Sequence, residues 1–458
     1  MKKIPPVVKN QELEAEIVDL TYQGMGVAKV EDYSLFVAGA LPGEKVKLHV
    51  LKVGKNFGFA KVVEWLTTSP DRVEIKGKAY TQTGIAPLQH LKYPAQLKFK
   101  RQQIVNLLEK AHLDEAIPVE ATIGMDNPYN YRNKAQVPVR KIKGHLETGF
   151  FRQGSHKFLP LADSLIEDKR INEVIQTVQK ILDDHHLSGY NEREHRGLIR
   201  NIMVRRGYYS HDVMLVLVTL HEKIPDVEAI VKEITAACPD IKSIIQNVNP
   251  KRTNVIMGKE DILLYGQEKI MDELNGLKFE ISAQSFYQVN PQQTEVLYQR
   301  AIDAADLTPD DTVIDAYCGI GTISLSVAQK VKKVLGVEIV PEAIADAKNN
   351  ATLNGLTNLD FEVGRAEDQM AQWQEAGVKP DVIFVDPPRK GLDASLIESA
   401  AKMNPKKIVY VSCNPATLVR DIQLFMDQGY QVRKPIQPVD MFPQTPHVES
   451  ITLLERDE

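Results

Sequence analysis

Along the first part of the chain, apolar and polar residues alternate with the period of a strand at 15–20, 34–37, 46–52 and 57–63, with turns at Gly24-Met25-Gly26 and Leu41-Pro42-Gly43. The pattern predicts five short strands closing into a small barrel over residues 1–65. Beyond Thr67-Thr68-Ser69-Pro70 the period becomes helical over 95–112, and the sequence then turns irregular, basic and aromatic to about residue 285. From Phe286 the pattern changes again. Continuous apolar runs at 312–315, 334–338, 382–386 and 408–412 alternate with helical stretches such as 344–354 and 415–426. Strands without a polar face are covered on both sides, so residues 286–458 are expected to form a parallel, doubly wound α/β sheet. The fold class expected is that α/β domain, preceded by an OB-like β-barrel (1–65) and a central α+β domain (66–285).

Composition changes the picture in two places. A formal net charge of −5 argues by itself against a nucleic-acid partner. The charge is uneven, however. Residues 132–157 carry seven lysines and arginines against Glu147 alone, and 193–206 carry five arginines against Glu192 and Glu194. Basic faces bind phosphate whatever the total charge. Tyr129, Tyr131, Phe150, Phe151, Phe158, Tyr208 and Tyr209 are interleaved with these cations, which suits single-stranded RNA, although any one of them taken singly belongs more naturally to a core. Lys45, Lys47, Lys52, Lys55 and Lys61 fall among the barrel strands, where RNA binding and a solvated surface are equally good readings.

The three cysteines, Cys238, Cys318 and Cys413, lack the spacing of a zinc or disulfide framework. With no membrane-length apolar run and no apolar stretch behind Met1-Lys2-Lys3, a reduced, cytoplasmic setting is expected.

The first strand of the α/β domain runs into Asp315-Ala316-Tyr317-Cys318-Gly319-Ile320-Gly321-Thr322, and the second ends at Glu338, 23 residues after Asp315. Glycines after a first strand and an acid after the second suit a Rossmann-like nucleotide site, the acid gripping ribose hydroxyls. The Gly-x-Gly pair would serve NAD equally. The missing third glycine leans toward S-adenosylmethionine, which has no pyrophosphate to seat. Glu367-Asp368 reads either as an adenine contact or as a helix N-terminal charge pair.

The next two strands end in Asp386-Pro387-Pro388-Arg389 and Ser412-Cys413-Asn414-Pro415. Free cysteines are usually small apolar fillers, but one at a strand terminus beside a carboxylate and an arginine reads better as a nucleophile. Uracil C5 is a poor nucleophile until a thiolate adds at C6, and a base must then remove the C5 proton. His447-Val448-Glu449 offers that base, Glu449 being preferred.

In Phe286-Tyr287-Gln288-Val289-Asn290, Asp315–Gly321, Asp386–Arg389, Ser412–Pro415 and His447–Glu449 the C-terminal part resembles the RNA uracil-C5 methyltransferases, and the N-terminal barrel resembles the TRAM domain that many ribosomal members carry. The resemblance implies Cys413 as nucleophile, Glu449 as base, and Gln288, Tyr317, Glu338 and Asp386 around S-adenosylmethionine and the target. It leaves Cys318 and Cys238 as packing residues, and it implies that helix 95–112 packs on the catalytic domain. Many ribosomal members hold a four-iron cluster through cysteines before a Leu-Gln-His stretch. Here 83–90 and 161–165 contain none, and three cysteines cannot supply four ligands. The chain therefore resembles the cluster-free branch acting on uridines of large-subunit (23S) ribosomal RNA, as a monomer and away from membranes. Transfer-RNA or cytosine methylation, and a non-catalytic RNA-binding assembly factor on the same scaffold, stand as alternatives.

Overall fold

A computed structural model describes residues 5–457; residues 1–4, on which the reading of the chain start rests, lie outside it. The barrel expected at the start is present and closed. Glu12–Leu20 pairs with Gly26–Val30 and Lys45–Val53, while Phe57–Thr67 closes the gap between Tyr33–Val37 and Lys45–Val53. Its inward positions, among them Ile17, Leu35, Val37, Val46, Leu48 and Val50, are fully buried. The buried carboxylate of Glu44 moors the barrel. It accepts hydrogen bonds from the Leu41 and Ser69 amides and from Arg72, which also donates to the Gly39 carbonyl at 2.7 Å.

The central region is not irregular. It forms a seven-stranded mixed sheet from Lys134–Ile142, His145–Phe151, Phe158–Pro160, Ile199–Arg206, Val213–Thr219, Ile241–Val248 and Glu260–Gly266, with helices Lys169–Asp184 and Val227–Ala237 on one face. The basic residues sit on strands. In Lys134–Ile142, Ala135, Val137 and Val139 point into the core under the helices, leaving Lys134, Gln136, Pro138 and Arg140 on the opposite face. Across the rest of that opposite face, Met203, Met214, Val216, Val218 and Ile245 share a core with the C-terminal domain. Tyr131 is core too, its hydroxyl donating to the Pro443 carbonyl at 3.0 Å, so it offers no stacking face to RNA.

In the C-terminal sheet Leu359–Val363, Lys333–Glu338, Thr312–Ala316, Val382–Val385 and Lys407–Ser412 run parallel in that order. The sheet is not wholly parallel. Glu449–Arg456 lies antiparallel to Lys407–Ser412 and is flanked in turn by Tyr430–Val432, with Gln437–Val439 paired to its start. The unbroken apolar runs have a direct cause. Val313, Val334, Phe384 and Val409 pack under helices Pro291–Ala305, Thr322–Ala328 and Pro341–Leu353, whereas Ile314, Leu335, Ile383 and Ile408 pack under the helices of the other face. One of those is Tyr93–Lys110, far upstream in sequence, which buries Ile104 and Leu108 in the second core.

That upstream helix also carries a buried cation. The Lys100 ammonium is paired with Asp440 and donates to the Phe442 carbonyl at 3.0 Å, both charged side chains being fully buried. Four residues before Lys100, Gln96 exchanges bonds of 3.0 Å with the side chain and amide of Gln444. Together they clasp the loop that leads into Glu449. Lys100→Met should therefore destabilise the protein by about 3–5 kcal/mol in urea unfolding, because it strands the Asp440 charge. Adding Asp440→Leu should recover most of the loss; a Lys100→Met cost below about 1 kcal/mol would show that the clasp holds nothing.

Candidate active site

The carboxyl ends of the parallel strands converge on one crevice, at the point where strand order reverses between Thr312–Ala316 and Val382–Val385. At the end of the first strand the backbone turns sharply. The amides of Tyr317 and Cys318 both donate to the Val337 carbonyl, at 3.1 and 3.0 Å, and Tyr317, Gly319 and Gly321 all have positive φ. For Tyr317 this left-handed conformation is strained. A side chain at Gly319 would meet open space, so the turn leaves room for a ligand above it.

Two polar atoms there have no partner in the protein. The buried Asp315 carboxylate accepts from Ser324 Oγ at 2.5 Å through one oxygen while the other is unsatisfied, and the buried Tyr317 hydroxyl is unsatisfied as well. Buried polar atoms are seldom left so. Glu338 accepts from the Val340 amide at 3.0 Å with one oxygen. Burial, followed by the neighbouring Asp315 charge, raises Asp386 to about 7; burial likewise raises Asp315 to about 6. These donors and acceptors fit a nucleoside-bearing ligand with hydroxyls to bind.

Gln288 is held from the central domain. Asn133 donates through its side chain to the Gln288 carbonyl (3.2 Å) and through its amide to that of Val289 (2.9 Å). Asn290 then caps helix Pro291–Ala305, and its amide nitrogen reaches the Met441 carbonyl at 3.0 Å, while Gln293 donates to the Asp440 carbonyl at 3.1 Å. Phe286, 68% exposed, keeps an aromatic face open to solvent two residues from Gln288.

The Ser-Cys-Asn-Pro motif has a local logic. Asn414 caps helix Pro415–Met426 with Pro415 in its first turn, and Ser412 Oγ accepts the Asn414 amide at 3.2 Å. Asn414 also donates to the Arg389 carbonyl at 2.9 Å, tying this turn to the Asp386–Arg389 loop. Ser412 and Ser450 are the last pair of the antiparallel ladder, so Cys413 and Glu449 are the next residues out on adjacent strands. Their charges act on one another. Cys413 is pushed up to about 12 by burial, then by Glu449 and Asp386, with Arg389 opposing. Burial, with Asp386, holds Glu449 well above the usual carboxylate range. His447, pushed down to about 4 by burial and by Arg389 and Lys100, is a neutral imidazole.

In the free protein Cys413 is thus a thiol. Only the thiolate is nucleophilic, so the rate at which iodoacetamide alkylates Cys413 should rise about tenfold per pH unit from 7 to 10 without levelling. A plateau below pH 9, read by mass spectrometry, would mean that Arg389 outweighs burial and the carboxylates.

All six residues singled out from the sequence, Gln288, Tyr317, Glu338, Asp386, Cys413 and Glu449, line this end of the sheet. Cys318 and Cys238 lie in separate apolar cores. Glu367 and Asp368 open helix Ala366–Glu375 within 3.7 Å of Arg365, as a helix N-terminal charge cluster would. Sequence reasoning missed Asn133 and Tyr298, whose hydroxyl meets Thr322 Oγ1 at 3.2 Å behind Gln288. Neither belongs to a motif with its partners nearby in sequence. Among the described residues no group of three or more His, Cys, Asp or Glu converges as a metal site, and no helix is long and apolar enough to cross a membrane.

Comparison with known proteins agrees with this geometry. The family model described as tRNA (Uracil-5-)-methyltransferase matches residues 92–457, and that of the TRAM domain matches residues 6–63. An RNA methyltransferase of Lactiplantibacillus plantarum is 57% identical over the whole of both chains, and one of Enterococcus faecalis is 52% identical over 98% of each. The crystal structure of Pyrococcus abyssi tRNA (uracil-54, C5)-methyltransferase in complex with S-adenosyl-L-homocysteine superposes with a TM-score of 0.77 at 27% identity, covering 96% of this chain and 99% of that one. The chain belongs to the S-adenosylmethionine-dependent RNA uracil-C5 methyltransferases and carries an N-terminal TRAM domain.

Proposed function

We propose that this enzyme methylates C5 of uridine in large-subunit ribosomal RNA, with Cys413 as the nucleophile and Glu449 as the base. The observation that carries the mechanism is the placement of Cys413 and Glu449 just beyond the Ser412–Ser450 pair, beside Asp386 and Arg389. Gln288, Tyr317, Glu338 and Asp386 are the residues assigned to S-adenosylmethionine and the target base, supported by the orphaned atoms of Asp315 and Tyr317 in the same turn. When bound, the donor supplies an electrophilic methyl group. Residues 1–65 and 66–285 are assigned to holding RNA around the catalytic part, 286–458, in a monomer acting in the cytoplasm.

The TRAM barrel supports a ribosomal substrate. The second reading is a transfer-RNA uridine. It is favoured by the Pyrococcus abyssi enzyme, which acts on tRNA and matches this chain along 96% of its length, barrel included.

RNA carrying tritium at C5 of uridine separates the two. Large-subunit, small-subunit and transfer RNAs are each incubated with protein and S-adenosylmethionine, and tritium released to water is counted. Release from large-subunit RNA alone is expected; release from transfer RNA alone would replace the substrate while leaving the chemistry intact.

A further inference from the structure

The central sheet carries a second concavity at the end away from Gln288. Loops 151–158, 188–197 and 252–256 enclose a cleft of about 1300 Å³ over the end of strand Lys134–Ile142. Asn133, which fastens Gln288, precedes that strand; Arg140 lies seven residues along, about 23 Å away at the rise of an extended chain. The cleft is therefore separate from the crevice of Cys413, although the outward face of the strand, through Lys134, Gln136 and Pro138, runs from one to the other.

The floor of the cleft is a stack of rings and guanidinium groups. Arg140 lies 5.2 Å from the Phe151 ring centroid and 5.6 Å from that of Tyr190, and Arg200 lies 4.5 Å from Tyr190. Arg200 is committed, donating to the carbonyls of Asn249 (2.6 Å), Lys251 (2.7 Å) and Thr253 (3.3 Å). Arg140 is not. It donates only to its neighbour's carbonyl, that of Val139 at 2.8 Å, and burial lowers its pKa, with Glu192 nearby opposing. Lys141, Arg193, Arg196 and Arg252 surround it, against Glu192 and Glu194. Among the described residues none of these five cations has a carboxylate oxygen within 4.0 Å.

Uncompensated cations over aromatic rings complement an unstacked RNA strand, which brings phosphates for the first and a base face for the second. An acidic protein segment would answer the cations but leave the rings unused. We propose that this cleft is a second RNA site, holding a single-stranded segment of the substrate at a distance from the target uridine, with phosphates on Arg140, Arg193 and Arg196 and a base against Phe151. The proposal rests on the reading that the substrate is a large folded RNA, large-subunit ribosomal RNA being the one proposed above.

The test compares two RNAs: the unmodified large-subunit transcript, and the shortest hairpin of it that the wild-type enzyme still methylates. Arg193 and Arg196 are exposed on a loop, so Arg193→Glu with Arg196→Glu leaves the core undisturbed. The ratio of kcat/KM on transcript to that on hairpin should fall about tenfold or more. The slope of log Kd against log salt for the transcript should also shrink by roughly two counterions. Arg140→Gln should lower the same ratio. An unchanged ratio would overturn the proposal, whether both RNAs suffer equally or neither does. If the wild-type enzyme proves to use transfer RNA, the pair becomes that RNA and its target hairpin, so failure of the substrate assignment and failure of the cleft are told apart.

Discussion

Cys413→Ala is expected to lower methyl transfer by about 10⁴-fold or more, about 5 kcal/mol in the barrier, while RNA affinity stays within a few-fold of the wild type. In the proposed mechanism the thiolate forms the bond to C6, and the electrons of the C5–C6 double bond move onto C5 and its carbonyl as an enolate. Without that bond, C5 lacks the electron density to accept a methyl group. Nothing else at this end of the sheet substitutes for the sulfur, since Cys318, the other cysteine of the domain, is buried in the core beneath the first strand. Turnover within about tenfold of the wild type would sink the covalent mechanism. Because the free thiol is held near 12, substrate binding has to bring about its deprotonation. A bound RNA that lowers this pKa should make Cys413 ionise at lower pH in the complex than alone.

Glu449→Gln is expected to separate the two halves of the reaction. In the proposed mechanism its carboxylate takes the C5 proton after the methyl group has arrived, the electrons of that C–H bond rebuild the double bond, and the thiolate leaves C6. The amide cannot take the proton, so methylated RNA should remain bonded to Cys413 and appear as a labelled, slower band on a denaturing gel. Multiple turnover should drop by about 10²–10⁴-fold, the usual contribution of a positioned base. Free release of product at near wild-type rate would assign the base elsewhere; His447, neutral and close by, would be next to test. Burial and the neighbouring Asp386 push the Glu449 carboxyl up, and both carboxylates act on Cys413, so the three groups are electrostatically linked.

The legible parts of this molecule were those whose partners are near in sequence or whose burial is total. Strand ends Asp315, Glu338, Asp386 and Cys413 stood out because each closes an apolar run covered on both faces. The central sheet was hidden although its alternation is there to read: Ala135, Val137 and Val139 keep a period of two beneath Lys134, Pro138 and Arg140. A proline and frequent charges in a strand weaken the usual signal, and the basic residues drew attention to RNA before structure. Tyr131, an aromatic in a basic stretch, is core, as is expected of any one of these rings taken singly. The pairing of Lys100 with Asp440 across 340 residues has no sequence signature at all. Its existence follows only from the packing of Tyr93–Lys110 on the distant sheet.

The insertion of Glu449–Arg456 between Lys407–Ser412 and Tyr430–Val432 makes the last strand of the chain an inner member of its sheet. Cys413, the proposed nucleophile, is synthesised 36 residues ahead of Glu449, the proposed base, and the strand bearing Glu449 slots into a sheet whose other members come earlier in the chain. A nascent chain that has exposed Cys413 but not this strand lacks the ladder that ends beside the thiol. The site is complete only once this strand lies in the sheet.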